Sequence, residues 1–81
     1  MAVIPRMEIQ SKANGKWTTV NTVEDKATLY ESLANALVSK KLNCCSYIKS
    51  IKRIQMYTHV EIVVTQDNGF RTIYYVNATS F

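Results

Sequence analysis

Three side chains in this sequence could act as metal ligands or as a nucleophile and its base: Cys44, Cys45 and His59. Zinc needs three or four ligands at workable spacing, and no Cys-x-x-Cys pattern accompanies them, so a metal site is not expected. A thiolate activated by His59 is formally available, but inert cysteines that pack as small hydrophobes are the commoner case. Glu8, Glu24 and Glu31 read as solvated surface carboxylates, with no carboxylate pair, nucleophile elbow or glycine-rich phosphate loop beside them. Both glycines fall in turns. The expectation is a non-catalytic chain with no cofactor, no metal and no small-molecule substrate.

A second group of residues carries charge and aromatic surface rather than reactivity. From Glu31 to Glu61 no acid intervenes, while Lys40, Lys41, Lys49, Lys52 and Arg53 add five cations to a chain of net charge +4. Tyr47 and Tyr57 sit among them. Cations release counterions from phosphates and aromatic faces stack on unpaired bases, so a nucleic-acid surface built from Lys40, Lys41, Lys49, Lys52, Arg53, Tyr47 and Tyr57 is one reading. The bland alternative is a strand whose lysines are solvated and protect a sheet edge.

The elements that must position these residues can be read from spacing. The 81 residues suffice for one domain, and 47% hydrophobic content is that of an ordinary folded chain. Arg6 to Ala13 and Lys16 to Val20 flank Asn14-Gly15, the pair suited to a type I′ hairpin turn, with Pro5 at the beginning of the first strand. A two-residue loop sets Ile9 opposite Val20 and Met7 opposite Thr22, with Trp17 on the other side beside Lys12, Gln10 and Thr19. A three-residue loop would move Trp17 over to join Met7 and Ile9. The sequence leaves both open.

A helix follows, capped by Thr22 with Glu24 and Asp25 in its first turn. Leu29, Tyr30, Leu33, Ala34, Leu37 and Val38 form its apolar stripe, Lys40 and Lys41 its last turn, and Asn43 its C′ position. The segment from Tyr47 to Tyr57 fits either period. Its β-branched and aromatic content favours a strand with Ile48, Ile54 and Met56 on one side, and Tyr47, Lys49, Ile51, Arg53 and Tyr57 on the other. A final hairpin spans Val60 to Gln66 and Phe70 to Asn77 around Asn68-Gly69. A two-residue loop there places Val63 opposite Tyr74 and Glu61 opposite Val76 on one face.

The fold class is therefore α+β in the order β-β-α-β-β-β, an antiparallel sheet with one helix on one face. The other face would carry Val63, Phe70, Tyr74, Val76, Ile51 and Tyr57, with Trp17 in one of its two registers, interleaved with Lys49, Arg53 and Lys12. Open antiparallel faces are normally polar, and a contiguous apolar one marks an interface. The leading expectation is a small interaction protein that binds a protein partner, or its own copy as a homodimer, through Lys49, Ile51, Arg53, Tyr57, Val63, Phe70, Tyr74 and Val76. Nucleic-acid binding is the alternative. Small self-contained chains of this style suit an adaptor, or an inhibitor encoded by a phage or mobile element.

Met-Ala-Val-Ile-Pro is too short and uncharged for a signal peptide, and no run is long enough to span a membrane. Adjacent cysteines form no disulfide framework, so a reducing, cytoplasmic setting is expected. Asn77-Ala-Thr79 matches a glycosylation pattern and is read as coincidental without an export signal.

Overall fold

The computed structural model describes residues 4–39, 41–42, 46–67 and 69–77. The strands are β1 (Arg6–Ala13), β2 (Lys16–Val23), β3 (Lys41–Leu42), β4 (Ser46–Gln55), β5 (His59–Gln66) and β6 (Phe70–Asn77), and helix α1 (Lys26–Ser39) follows β2. All pairings are antiparallel, in the spatial order β2-β1-β6-β5-β4-β3. Five long strands and one helix in this order make an α+β fold, as the alternating pattern predicts. The two-residue β3, pairing Lys41 with Tyr47, is an addition that no periodicity signals.

The first hairpin closes through a two-residue turn. Asn14 and Gly15 both take positive φ, 54° and 76°, the pair of angles a type I′ turn requires. Lys12 therefore opposes Trp17 and Gln10 opposes Thr19, which sets Trp17 on the face away from Met7 and Ile9. Beyond Gln10 the ladder slips at a bulge. Met7 then meets Val23 and Ile9 meets Asn21, in place of the expected Thr22 and Val20. Val20 is left exposed at the edge.

The helix begins later than its sequence suggests. Asp25, not Thr22, is the cap: its Oδ2 accepts the Thr28 N–H at 3.0 Å and the Thr28 hydroxyl at 2.6 Å. Its backbone carbonyl accepts the Leu29 N–H at 2.9 Å, the first helical bond. Thr22 stays in β2 opposite Glu8. The hydrogen bonds from Thr28 hold the Asp25 carboxyl below its ordinary value. The buried stripe is also narrower than the spacing implies. Leu29, Leu33 and Ala36 pack down and Tyr30 packs partly, while Ala34, Leu37 and Val38 are exposed. Lys40 and Asn43 lie outside the described residues, and Lys41 belongs to β3.

Beneath the helix lie Met7, Val60, Ile62, Val64, Tyr74 and Val76, with Ile9, Val23 and Ile48 at the margins. Burying each of the two leucines stabilises the fold by roughly 1.5–3 kcal/mol. A polar bond crosses this layer, between Ser32 Oγ and the Tyr74 hydroxyl at 2.8 Å. Burial raises the Tyr74 hydroxyl above its ordinary value, against a smaller opposing effect of the Ser32 bond.

The last hairpin corrects the expected face of β6. Three residues, 67 to 69, connect β5 and β6, with Gly69 at φ +83°. The extra loop residue shifts the ladder by one, so Ile62 opposes Tyr74 and Val60 opposes Val76. Tyr74 and Val76 thus face the helix and are fully buried, not displayed on the open side. Phe70 shares their parity along β6.

Candidate interaction surfaces on the edge and open face

The open face carries Arg6, Glu8, Gln10 and Lys12 from β1, Arg71, Ile73, Tyr75 and Asn77 from β6, and His59, Glu61, Val63 and Thr65 from β5. The register sets these side by side, Glu8 opposite Ile73, Gln10 opposite Arg71, and Val63 opposite Ile73. Its apolar side chains are Val63, the buried Ile73, Ile54 of β4 opposite Glu61, and the rings of Trp17 and Tyr75, each of the two rings stacked by an arginine. The expected apolar face of Phe70, Tyr74 and Val76 is therefore not on this side. Polar pairing covers it in its place.

One half of that face pairs its polar groups with one another. Arg6 Nε lies 3.0 Å from Glu8 Oε2, and the Arg6 guanidinium stacks 3.9 Å from the centre of the Tyr75 ring. His59 Nε2 lies 3.1 Å from Glu61 Oε2, and its ring sits 6.1 Å from Tyr75. Burial, then the charges of Glu8 and Glu61, push the Tyr75 hydroxyl up, against the pull of Arg6 and Arg71. His59 is a partly buried residue at the start of β5, its ring nitrogen against the Glu61 carboxylate.

The other half holds Trp17. The Arg71 guanidinium stacks 4.4 Å from the indole and its Nε donates to Gln10 Oε1 at 2.6 Å. Gln10 in turn donates to Thr19, and Thr19 to Glu8. The Lys12 ammonium lies 5.8 Å from the same indole. Asn14-Gly15 contains the signal for Trp17 beside Lys12. Arg71 could not be found that way, because its face depends on the length of the following hairpin's loop.

The basic strand β4 is divided differently. A bulge between Ile48 and Ser50 absorbs Lys49, so alternation restarts one residue out of step. Ile51 then opposes Val64 and Arg53 opposes Ile62, on the helix side, while Lys52 opposes Val63 and Ile54 opposes Glu61, on the open side. The expected grouping of Ile48 with Ile54 is overturned for this reason. Ile51 and Arg53 are exposed because they lie towards the edge of the sheet, beyond the buried core under the helix.

The expected partner surface is consequently broken up. Tyr74 and Val76 are core, Phe70 is half-buried on the helix side, and Val63 is half-buried on the open side. Lys49, Ile51, Arg53 and Tyr57 remain together at the β4 edge and its turn. Of the alternative set, Lys49, Lys52, Arg53, Tyr47 and Tyr57 are exposed, Lys41 is placed opposite Tyr47, and Lys40 lies outside the described residues. Tyr57 is 100% exposed and Tyr47 58%.

The backbone of this edge was not legible in the sequence. The Met56 N–H donates to the His59 carbonyl at 2.9 Å, and the Asp67 N–H donates to the Tyr47 carbonyl at 3.1 Å. Hydrogen-bonded and non-bonded pairs alternate in an antiparallel ladder, so Ile54 and Lys52 turn their backbone groups to β5. Ile51, Arg53 and Gln55 turn theirs outward. Among the described residues, β3 covers only Ser46 and Tyr47 of that outer side.

Cys44 and Cys45 lie outside the described residues, and no group of three metal-ligating side chains occurs among those described. No described helix is long and apolar enough to cross a membrane. Comparison with protein-family models, curated proteins and solved structures found no match.

Proposed function

We propose that the protein is a non-catalytic interaction module whose β4 edge binds an acidic protein segment by strand addition. The observation that carries this reading is the outward-facing backbone of Ile51 and Gln55 on an edge strand that bears the cations Lys49, Lys52 and Arg53. An added strand gains main-chain hydrogen bonds, and its side chains take their places beside the exposed ones of the edge. Charge selects the partner. Two copies of β4 paired antiparallel about this segment would bring Lys52 and Arg53 of each strand together, and like charges on neighbouring strands repel. An acidic strand meets the same cations with the opposite sign.

The reading belongs to the adaptor or inhibitor class, in a cytoplasmic setting suited to a chain with two adjacent cysteines and no disulfide framework. The test is a titration of the isotope-labelled protein with an extended peptide of alternating glutamate and valine. The amide signals of Ile51, Arg53 and Gln55 are expected to move, with binding weakened by salt. Lys52→Glu with Arg53→Glu is expected to weaken it by roughly tenfold or more. Gln55→Pro removes an outward N–H without breaking the β4–β5 ladder and should also block pairing. Sedimentation of the free protein showing a stable dimer through β4 would overturn the choice of partner. A single-stranded oligonucleotide that shifts Tyr47 and Tyr57 while the peptide shifts nothing would transfer the function to nucleic acid.

A further inference from the structure

On the opposite side of the sheet from the β4 edge, the Trp17 half of the open face holds two cations, Arg71 and Lys12, that make no ion pair among the described residues. Arg71 is half-buried, and its orientation is set twice, by stacking 4.4 Å from the indole and by the 2.6 Å bond from Nε to Gln10 Oε1. That bond occupies Nε and leaves the terminal nitrogens to point elsewhere. Among the described residues no carboxylate forms an ion pair with Arg71 or with Lys12; Glu8, the other diagonal neighbour of Arg71, is engaged by Arg6 and by the Thr19 hydroxyl. Lys12 is two residues from Gln10 on β1, and Gln10 opposes Arg71, so the two cations are diagonal neighbours on one face. Holding a partly desolvated cation in a fixed orientation without a counter-charge is unfavourable for folding alone.

We infer that Arg71 and Lys12, floored by Trp17, form a binding site for a phosphate group. Two such cations match a dianion, and a phosphate monoester carries close to two charges at neutral pH where a carboxylate carries one. A pre-oriented guanidinium suits phosphate oxygens through charge-assisted hydrogen bonds, and Lys12 supplies a mobile second charge. The phosphate belongs either to a small phosphorylated molecule, whose monoester supplies both charges, or to a nucleic-acid backbone, whose diesters carry one charge each so that two successive ones would meet the two cations. The site shares no residue with the β4 edge, so either can fail without the other.

Trp17 is the chain's single tryptophan, so its emission and its indole N–H signal report on this site alone. The intact protein would be titrated with inorganic phosphate at constant ionic strength, with chloride as the compensating anion, and separately with a single-stranded oligonucleotide. Saturable change with phosphate is expected, weakened roughly tenfold or more by Arg71→Gln and severalfold by Lys12→Gln, and untouched by Lys52→Gln. If the oligonucleotide saturates the same signal at far lower concentration, with loss in the same two variants, the phosphate is that of a nucleic acid. If phosphate and oligonucleotide produce similar responses, it belongs to a small molecule. A response no larger than that to chloride, or one that Lys12→Gln and Arg71→Gln leave unchanged, overturns the site. Lys12 is exposed, so its variant remains readable even if Arg71→Gln disturbs the packing of Trp17.

Discussion

The Tyr74 hydroxyl lies 2.8 Å from Ser32 Oγ, a hydrogen bond from the middle of the sheet to the helix that covers it. The ring itself is fully buried among Met7, Ile62 and the helix leucines. Tyr74→Phe keeps the ring and loses the bond, and Ser32 is partly exposed, so it can turn to water. The expected loss is about 1 kcal/mol. Tyr74→Ala empties the centre of the core and should remove about 3–5 kcal/mol. Urea unfolding measures both. Equal losses for the two variants would mean that the bond, not the ring, carries the contribution.

The same residue makes the fold sensitive to alkali. Burial raises the Tyr74 hydroxyl above 10.0, so the unfolded chain releases this proton first as pH rises. Its contribution is therefore complete below the unfolded value and is lost as pH climbs through the raised folded one. Tyr75 acts in the same direction and more weakly, being partly solvated. Denaturation followed across that range should show stability falling with pH, and Tyr74→Phe should flatten the fall. A Phe variant with an unaltered alkaline slope would refute this assignment.

At acid pH the controlling group is Asp25. Its carboxyl is held below 3.8 by the two Thr28 hydrogen bonds, so its contribution is present above that value and is lost as pH drops through the lowered one. Asp25→Ala should lower the Tm at neutral pH, and the difference from the parent should shrink in acid. Thr22→Ala, by contrast, should leave helix content intact. Circular dichroism during thermal unfolding distinguishes the two.

Gln66 is 2% exposed, on the helix side of β5, and among the described residues neither amide atom has a hydrogen-bond partner. A buried amide without partners destabilises the folded state, so Gln66→Met, of similar length, should raise stability by about 1–3 kcal/mol. Chemical denaturation checks this. A loss of stability would show that the amide makes a bond in solution.

The cations of β4 should also keep the protein from pairing with itself. Replacing Lys49, Lys52 and Arg53 together by threonine leaves a neutral strand of high β propensity at the sheet edge. Sedimentation should then show association that grows with concentration, and the parent should remain monomeric under the same conditions. A monomeric triple variant would mean that the Lys49 bulge, not charge, protects the edge.

Much of this fold is local and therefore legible from residue types. Asn14-Gly15 demands positive φ at two successive positions, and that alone brings Lys12 opposite Trp17. The Leu29, Leu33 spacing makes a helix face, and the β-branched run from Tyr47 onward makes strands. The acid-free stretch between Glu31 and Glu61 is a property of the chain before it folds.

What the tertiary structure decided is the side on which each strand shows its residues. Side chains alternate with a period of two, so one extra residue in a loop or bulge inverts everything beyond it. The three-residue connection after Gln66 sends Tyr74 and Val76 under the helix and Arg71 onto Trp17. The bulge at Lys49 sends Ile51 and Arg53 to the helix side of the edge and Ile54 to the other. Asn68-Gly69 is compatible with either loop length, and no residue type at Lys49 requires a bulge. The packing of the whole sheet against one helix chose between registers that local sequence leaves nearly equal, because only one of them buries Val60, Ile62, Val64, Tyr74 and Val76 together.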